Sequence, residues 1–139
     1  MRVFVDTNII MDFITFRSPF GRNAKIIFEL GKENKFEILA ADLSFFNSAF
    51  SLKKYDFSKE DILDCLTALL PLVTIVPVGE SVVTRSLAKR GKDFEDDAQY
   101  FSAVDAGADY IITRNKKDFP QEDFILEPKE FFDLMNIEL

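Results

Sequence analysis

The sequence contains no histidine and no tryptophan, and cysteine occurs once, at Cys65. Without histidine, neither a Ser-His-Asp hydrolase nor a Cys-His hydrolase can be built, and a histidine-ligated zinc site is excluded as well. A single cysteine excludes an internal disulfide and a multi-cysteine metal cluster, so we expect a reducing, cytoplasmic location. Catalysis near neutral pH would therefore rely on carboxylates, on a hard cation, or on both.

Basic residues are also scarce, because 17 Lys and Arg stand against 24 Asp and Glu, for a formal net charge of −7. This balance argues against nucleic-acid binding through bulk positive charge, and leaves two interpretations of the surplus acids. They either form an ordinary acidic surface or concentrate around a cation. The chain has 139 residues, enough for one compact domain, and we expect a single domain over residues 1–139.

Long hydrophobic runs are missing too. Asp6 interrupts the N-terminal apolar run too early for a signal sequence, and the longest apolar stretch, 69–78, contains two prolines. That stretch is also too short to span a bilayer, so we expect no membrane segment.

Short apolar runs alternate with amphipathic segments along the chain. The predicted strands are 2–5, 36–39, 73–76, 110–113 and a weak fifth at 124–125. Seven helices are predicted. The first three are 8–16, 22–30 with Gly31 as its stop, and one that is capped by Asp42 or Ser44 and runs to about residue 54. The others are 59–70 capped by Ser58, 81–89, 94–106 capped by Asp93, and 128–135. This order indicates an α/β fold, a three-layer αβα sandwich around a central, mainly parallel sheet of about five strands.

Three polar segments lie where such a sheet binds ligands, beyond the carboxyl ends of its strands. Asp6 directly follows the first predicted strand, and we interpret it either as a metal-binding acid or as a helix N-cap. Residues 93–97 include four acids, more than are needed to compensate a helix dipole. Residues 113–119 follow the fourth predicted strand. Their joint placement favours an acidic site assembled from distant parts of the chain.

These segments resemble the PIN domain family, which includes the VapC-type ribonuclease toxins of bacterial toxin–antitoxin pairs. The resemblance is carried by residues 5–10, 17–20, 96–103 and 106–115, followed by Asp118 and Phe119. It covers nearly the whole chain. What it implies is a PIN-like sandwich with an acidic pocket that holds one or two Mg²⁺ or Mn²⁺ ions and supports endonucleolytic cleavage of single-stranded RNA.

The resemblance also implies roles for individual residues. Asp6 matches the first acid of the family and Asp96 the third, while the fourth falls at Asn115 or Asp118. The implied catalytic residues are Asp6, Asp96 and Asp118. The implied metal ligands are Asp6, Asp96, Asp97, Asn115 and Asp118. The implied substrate-binding residues are Thr7, Asn8, Asn47, Thr113 and Arg114. In this mechanism the ion activates a water molecule, which Asp118 or Asp97 orients, and no histidine is needed.

Two amides stand where the family has acids. Asn47 occupies the position of the family's second acid, a glutamate, and Asn115 stands where many relatives have aspartate. An amide ligates a cation without adding charge, so Mg²⁺ affinity is expected to fall. Three nearby acids could compensate: Asp12, Glu95 and Asp97. The alternative function is a catalytically weakened PIN domain that binds nucleic acid or a protein partner.

The partners that follow from the resemblance are single-stranded RNA, an antitoxin protein and a second copy of the chain in a homodimer. An acidic protein needs local cations to hold RNA, and the candidates are Arg17, Lys53, Lys54, Arg114, Lys116 and Lys117. A phosphatase of the haloacid dehalogenase type also places an acid after its first strand. That chemistry needs a second aspartate two residues later, where this chain has Asn8.

Overall fold

The computed structural model describes residues 1–138, and its centre is a five-stranded parallel β-sheet. The strands are β1 (Arg2–Val5), β2 (Glu37–Ala41), β3 (Thr74–Val76), β4 (Tyr110–Ile112) and β5 (Ile125–Leu126). Their order across the sheet is β3-β2-β1-β4-β5. Strands β2 and β3 extend the sheet to one side of β1, and β4 and β5 extend it to the other. The strand order therefore reverses between β1 and β4, and the carboxyl ends of these two strands form the topological switch point. The predicted parallel α/β fold is confirmed.

Helices cover both faces of this sheet. In the described residues they are α1 (Thr7–Thr15), α2 (Gly21–Lys32), α3 (Asp42–Leu52), α4 (Lys59–Leu69), α5 (Gly79–Lys89), α6 (Phe94–Asp105) and α7 (Pro128–Leu134). Short 3-10 helices occupy Lys53–Tyr55, Leu70–Leu72 and Lys116–Asp118. Within residues 1–138, no helix has both the length and the apolar character needed to cross a membrane.

Two helices begin at the cap residues that the sequence predicts. The Ser58 side chain accepts a hydrogen bond from the backbone N–H of Asp61 and begins α4, and the Asp93 side chain accepts one from Asp96 and begins α6. Gly31, in contrast, does not end α2. The helix continues to Lys32, and Gly31 lies where a Cβ atom would collide with the side chain of Ile38 on β2.

Most other boundaries also differ from the prediction by one or two residues, and α5, for example, begins at Gly79 rather than at residue 81. β2 runs on to Ala41 and α3 begins at once at Asp42, so neither Asp42 nor Ser44 is its cap residue. α3 ends at Leu52 because the next three residues tighten into a 3-10 turn. β5 is placed one residue later than predicted.

The central strand β1 is buried on both faces, which fixes the position of the residue that follows it. Val3 and Val5 belong to one apolar cluster, which also contains Ile27 of α2 and Phe131 of α7. Phe4 points to the other face and belongs to a second cluster with residues of β4 and α6. Burial of each such side chain contributes roughly 1.5–3 kcal/mol. The core thus holds the end of β1, and with it Asp6, at the switch point.

Candidate active site

Asp6 lies at the carboxyl end of β1 and is only 3% exposed. Its Oδ1 accepts a hydrogen bond from the backbone N–H of Thr7 at 2.7 Å, and its Oδ2 accepts one from the hydroxyl of Thr113 at 2.7 Å. Its backbone N–H donates to the carbonyl of Ile112 at 3.0 Å, which joins the ends of β1 and β4. Burial raises the pKa of Asp6, although the hydrogen bond from Thr113 opposes the shift. Asp6 is therefore both the N-cap of α1 and a buried acid at the switch point.

Three more carboxylates converge near Asp6. Oxygen atoms of Asp93, Asp96 and Asp118 all lie within 4.8 Å of one another. Asp93 and Asp96 lie three residues apart at the start of α6 and share one side of it, while Asp118 comes from the turn after β4. Desolvation, and then the charges of Asp6, Asp93, Asp118 and Glu95, raise the pKa of Asp96 to about 8. The structure therefore brings like charges together at this edge of the sheet.

The amide of Asn115 lies between two of these acids. Its Nδ2 donates to Asp118 Oδ2 at 2.6 Å and to Asp96 Oδ2 at 3.3 Å. The amide N–H groups of Asn115 carry partial positive charge, and the two carboxylates around them would also attract a cation at this position. Carboxylate and amide oxygens are the ligands that hard divalent cations prefer. The residues gathered here therefore fit Mg²⁺ or Mn²⁺.

A buried polar network lies next to Asp6 and ties three helices together. Gln99 of α6 is fully buried, and its Oε1 accepts hydrogen bonds from the backbone N–H of Thr7 at 3.3 Å and from the hydroxyl of Ser44 at 3.4 Å. The hydroxyls of Thr7 and Ser44 lie 2.7 Å apart. The network fixes the start of α1 against α3 and α6, and so holds Asp6 in register with Asp96.

Neither Ser44 nor Gln99 was predicted to belong to the site, and Asp93 was predicted only as a cap and as part of an acidic segment. The signal that could have found two of them is spacing. Asp93, Asp96 and Gln99 follow one another at three-residue intervals, which places them along one side of α6. Ser44 offers no comparable signal, since one small polar residue on a helix is common.

Asp97 does not join the acidic cluster, although it was predicted among the metal ligands. It is 1% exposed, and its Oδ1 accepts a hydrogen bond from Lys89 Nζ at 2.7 Å, at the end of α5. One residue along a helix turns the side chain by about 100°, so Asp96 and Asp97 cannot face the same site. Asp97 instead connects α6 to α5.

Asp12 is also turned away from the cluster and is held by two arginines. Its side chain is 1% exposed and accepts hydrogen bonds from Arg17 Nε and Arg114 Nε, both at 2.5 Å. The guanidinium of Arg114 also lies 3.7 Å from the ring centre of Phe20. Asp12 thus neutralises part of the positive charge of Arg17 and Arg114, and it adds no charge to the acidic cluster.

The predicted substrate-binding residues have different positions. Thr7 and Asn8 line a cavity of about 390 Å³ together with Asp6 and Asp96. Thr113 is fully buried and donates its hydroxyl to Asp6, so it has no surface to offer a substrate. Arg114 is occupied by Asp12 through its side chain, and its backbone N–H donates to Asn8 at 3.4 Å.

Asn47 reaches the rim of this cavity from α3. Its Nδ2 donates to Glu95 Oε1 at 2.6 Å, and Glu95 lines the cavity. Partial desolvation of the Glu95 carboxylate, with the charges of Asp93 and Asp6, raises its pKa. The structure therefore places a carboxylate of α6 against the amide of Asn47, and Glu95 remains the acid nearest to that position on α3.

The sheet order and the acids at its switch point define a parallel α/β protein with an acidic cluster at the carboxyl edge of its sheet. The family model described as PIN domain matches residues 2–117 of this chain. The protein belongs to the PIN domain family.

Individual relatives match along nearly the full chain. Ribonuclease VapC1 of Aquifex aeolicus (strain VF5) is 26% identical over 140 residues, which cover 97% of this chain and 96% of that protein. A toxin–antitoxin complex from Klebsiella pneumoniae contains a chain with a similar fold, at a TM-score of 0.68 and 23% identity, covering 91% of this chain and 97% of that one. VapBC2 from Rickettsia felis, bound to a DNA fragment from its promoter, gives a TM-score of 0.63 at 17% identity with the same coverage.

Proposed function

We propose that this protein is a metal-dependent endoribonuclease of the PIN type that cleaves single-stranded RNA, and that residues 1–139 act as one domain. The observation that carries this proposal is the convergence of Asp93, Asp96 and Asp118 within 4.8 Å, beside the buried Asp6. The relative from Aquifex aeolicus is named as a ribonuclease and matches 97% of this chain. Both observations favour hydrolysis of a phosphodiester over other chemistry.

In the proposed mechanism, Asp96, Asn115 and Asp118 would hold a Mg²⁺ or Mn²⁺ ion, with Asp6 and Asp93 adding negative charge next to it. When bound, such an ion supplies positive charge that polarises a phosphodiester and lowers the pKa of water. Asp6 keeps one orientation because Thr7 and Thr113 both donate to it. Asp118 is partly exposed, so its carboxylate can orient the attacking water and accept its proton.

Cleavage of single-stranded RNA is expected to depend strictly on a divalent cation. The purified protein would be assayed on several single-stranded RNAs with Mn²⁺, with chelator, and with Mn²⁺ restored after chelation. Activity should disappear with chelator and return with Mn²⁺, since the sequence contains no histidine that could act as a base in place of the ion. Cleavage that persists in chelator would contradict the proposed mechanism.

A second candidate function is binding of nucleic acid without cleavage. It is favoured by one observation, that the side chains at positions 47 and 115 are uncharged amides. Stable RNA binding with no cleavage of any RNA in Mn²⁺ would support it. For either function we propose an antitoxin protein as partner, because the structurally similar chain from Klebsiella pneumoniae belongs to a toxin–antitoxin complex.

Asn47→Glu is expected to tighten Mn²⁺ binding. Glutamate at this position faces Glu95, whose carboxylate lies 2.6 Å from the wild-type amide. Without a cation the two carboxylates repel each other, whereas with a cation the new one is a further charged ligand. Calorimetric titration should give a dissociation constant lower by about tenfold, or 1.4 kcal/mol. Melting in chelator should occur below the wild-type temperature.

Asn34→Asp is the control for Asn47→Glu. It adds the same charge at an exposed residue that lies next to the amino ends of β1 and β2, at the opposite edge of the sheet from the acidic cluster. Mn²⁺ affinity should stay at the wild-type value in this variant. If Asn47→Glu also leaves the affinity unchanged, residue 47 does not face the cation.

A further inference from the structure

The cavity that contains the acids is also lined by a basic group, defined here as Arg17, Lys54 and Tyr55. These residues cannot hold a divalent cation, since two are cationic and the third is a phenol. We propose that the basic group is a second phosphate subsite, which binds the phosphate next to the one that is cleaved. The inference rests on the proposed ribonuclease function. It narrows the substrate to a strand with at least two consecutive phosphodiesters.

Arg17 is held in one orientation with part of its guanidinium unused. Nε donates to the buried Asp12 at 2.5 Å, and Nη1 donates to the Tyr55 hydroxyl at 2.6 Å. The hydrogen bonds found for Arg17 among residues 1–138 use these two nitrogens, which leaves Nη2 available. A fixed guanidinium loses little freedom when it binds, and its planar donors match the oxygens of a phosphate. Arg17 is therefore prepared for an anion.

Lys54 adds a second positive charge to the same cavity. It is exposed, and it has no ion-pair partner within the described residues. Its Nζ lies 5.1 Å from the ring centre of Phe50 on α3, a contact that keeps the ammonium group near the start of the 3-10 turn. An acidic cavity repels RNA, so a phosphate gains most where these two cations oppose that repulsion.

The other cations predicted to bind phosphate are placed less favourably. Arg114 gives Nε and Nη2 to Asp12, stacks on Phe20, and does not line this cavity as the described residues form it. Lys116 pairs with Glu130 at 2.9 Å. In the part of the chain that the structure describes, the cavity is not lined by Lys53 or Lys117. Selection among the six candidates therefore leaves Arg17 and Lys54.

Because the acids and the basic group line the same cavity, a substrate must carry two phosphates to contact both. A substrate with a single phosphate would use only the acidic group, where the cation is proposed to bind. A polynucleotide strand offers a neighbouring phosphate to the basic group while one phosphodiester lies at the acids. The cavity thus favours cleavage within a strand over removal of a terminal phosphate.

The test compares a dinucleotide, which has one phosphodiester, with a trinucleotide, which has two, both in Mn²⁺. For the wild type we expect a KM for the trinucleotide that is lower by about tenfold, which corresponds to one charge-assisted contact. Lys54→Gln should lose most of this difference, and its RNA binding should depend less steeply on salt, by about one unit of the logarithmic slope. Tyr55→Phe removes the hydroxyl that holds Arg17 in one orientation and leaves the net charge unchanged. The KM for the trinucleotide should therefore rise, while the salt slope stays the same.

Lys59→Gln is the matched control, because Lys59 is an exposed lysine of α4 that lies outside the lining of this cavity as the described residues form it. It should keep both the wild-type KM difference and the wild-type salt slope. If the wild type cleaves RNA but Lys54→Gln behaves like Lys59→Gln, the second phosphate subsite is refuted and the ribonuclease function stands. If the wild type cleaves no RNA in Mn²⁺, the proposed function fails and this inference fails with it.

Discussion

Asp96→Asn is expected to abolish RNA cleavage while the protein remains folded. Asp96 is 7% exposed, lies among three other carboxylates and has a pKa raised to about 8, so its ionised form is disfavoured in the metal-free protein. Asparagine keeps the shape of the side chain and removes this repulsion. In chelator the variant should therefore melt at the wild-type temperature or above it. Activity should fall by more than about a hundredfold, because loss of a residue that only supports a metal ligand already costs up to about a hundredfold.

The neighbouring buried acid provides a control for Asp96→Asn. Asp97→Asn breaks the ion pair with Lys89, so it should lower the melting temperature and retain the response to Mn²⁺. Asp6→Asn should behave like Asp96→Asn, since asparagine can still cap α1. Melting curves of the four proteins in chelator and in Mn²⁺ decide between these cases. A destabilised Asp96→Asn with an undiminished Mn²⁺ response would refute the cation site.

Mn²⁺ is expected to raise the melting temperature of the wild type by about 10 °C at a hundredfold excess over its dissociation constant. This excess stabilises the folded state by about 2.7 kcal/mol, and each kcal/mol raises the melting temperature of a domain of this size by roughly 3–5 °C. The stabilisation should be larger at pH 8 than at pH 5, because protons compete with the cation for Asp96.

Without a metal ion the pH dependence should be reversed: in chelator, the contribution of Asp96 to stability should decrease as the pH rises. Its pKa is raised in the folded protein, from 3.8 to about 8, so the folded state binds the proton more tightly than the unfolded state does. The stabilisation is complete below pH 4 and is lost as pH rises through 8. The free energy of unfolding of the wild type, relative to that of Asp96→Asn, should fall over this interval. A relative rise would contradict the predicted repulsion among the acids.

Local signals in the sequence were sufficient to place much of the site. Asp6 ends a run of buried apolar residues, which identifies it as the first residue beyond a central strand. Asp93 begins a helix, and Asn115 and Asp118 follow the next central strand. Because every strand of the sheet is parallel, residues that follow β1 and β4 had to meet at one edge.

Contacts between side chains of different helices could not be predicted from local signals in the sequence. The hydrogen bond of Asn47 to Glu95 depends on how α3 and α6 are packed, and no local pattern of either helix contains that information. The direction of Asp97 depended on the rotation of α6 about its axis, which an unbroken row of acids does not define. Arg114 was predicted to contact RNA, but its side chain pairs with Asp12, which lies 102 residues earlier in the chain.

The order in which the acids occur along the chain has a consequence during translation. Asp6 is synthesised before β4 and Asp118, and β1 has to pair with β4 before the two groups of acids meet. A nascent chain that stops before β4 therefore lacks Asn115 and Asp118, and the acidic cluster cannot form in it. A ribosome that stalls earlier releases a product with Asp6 but without the side chains that complete the cluster.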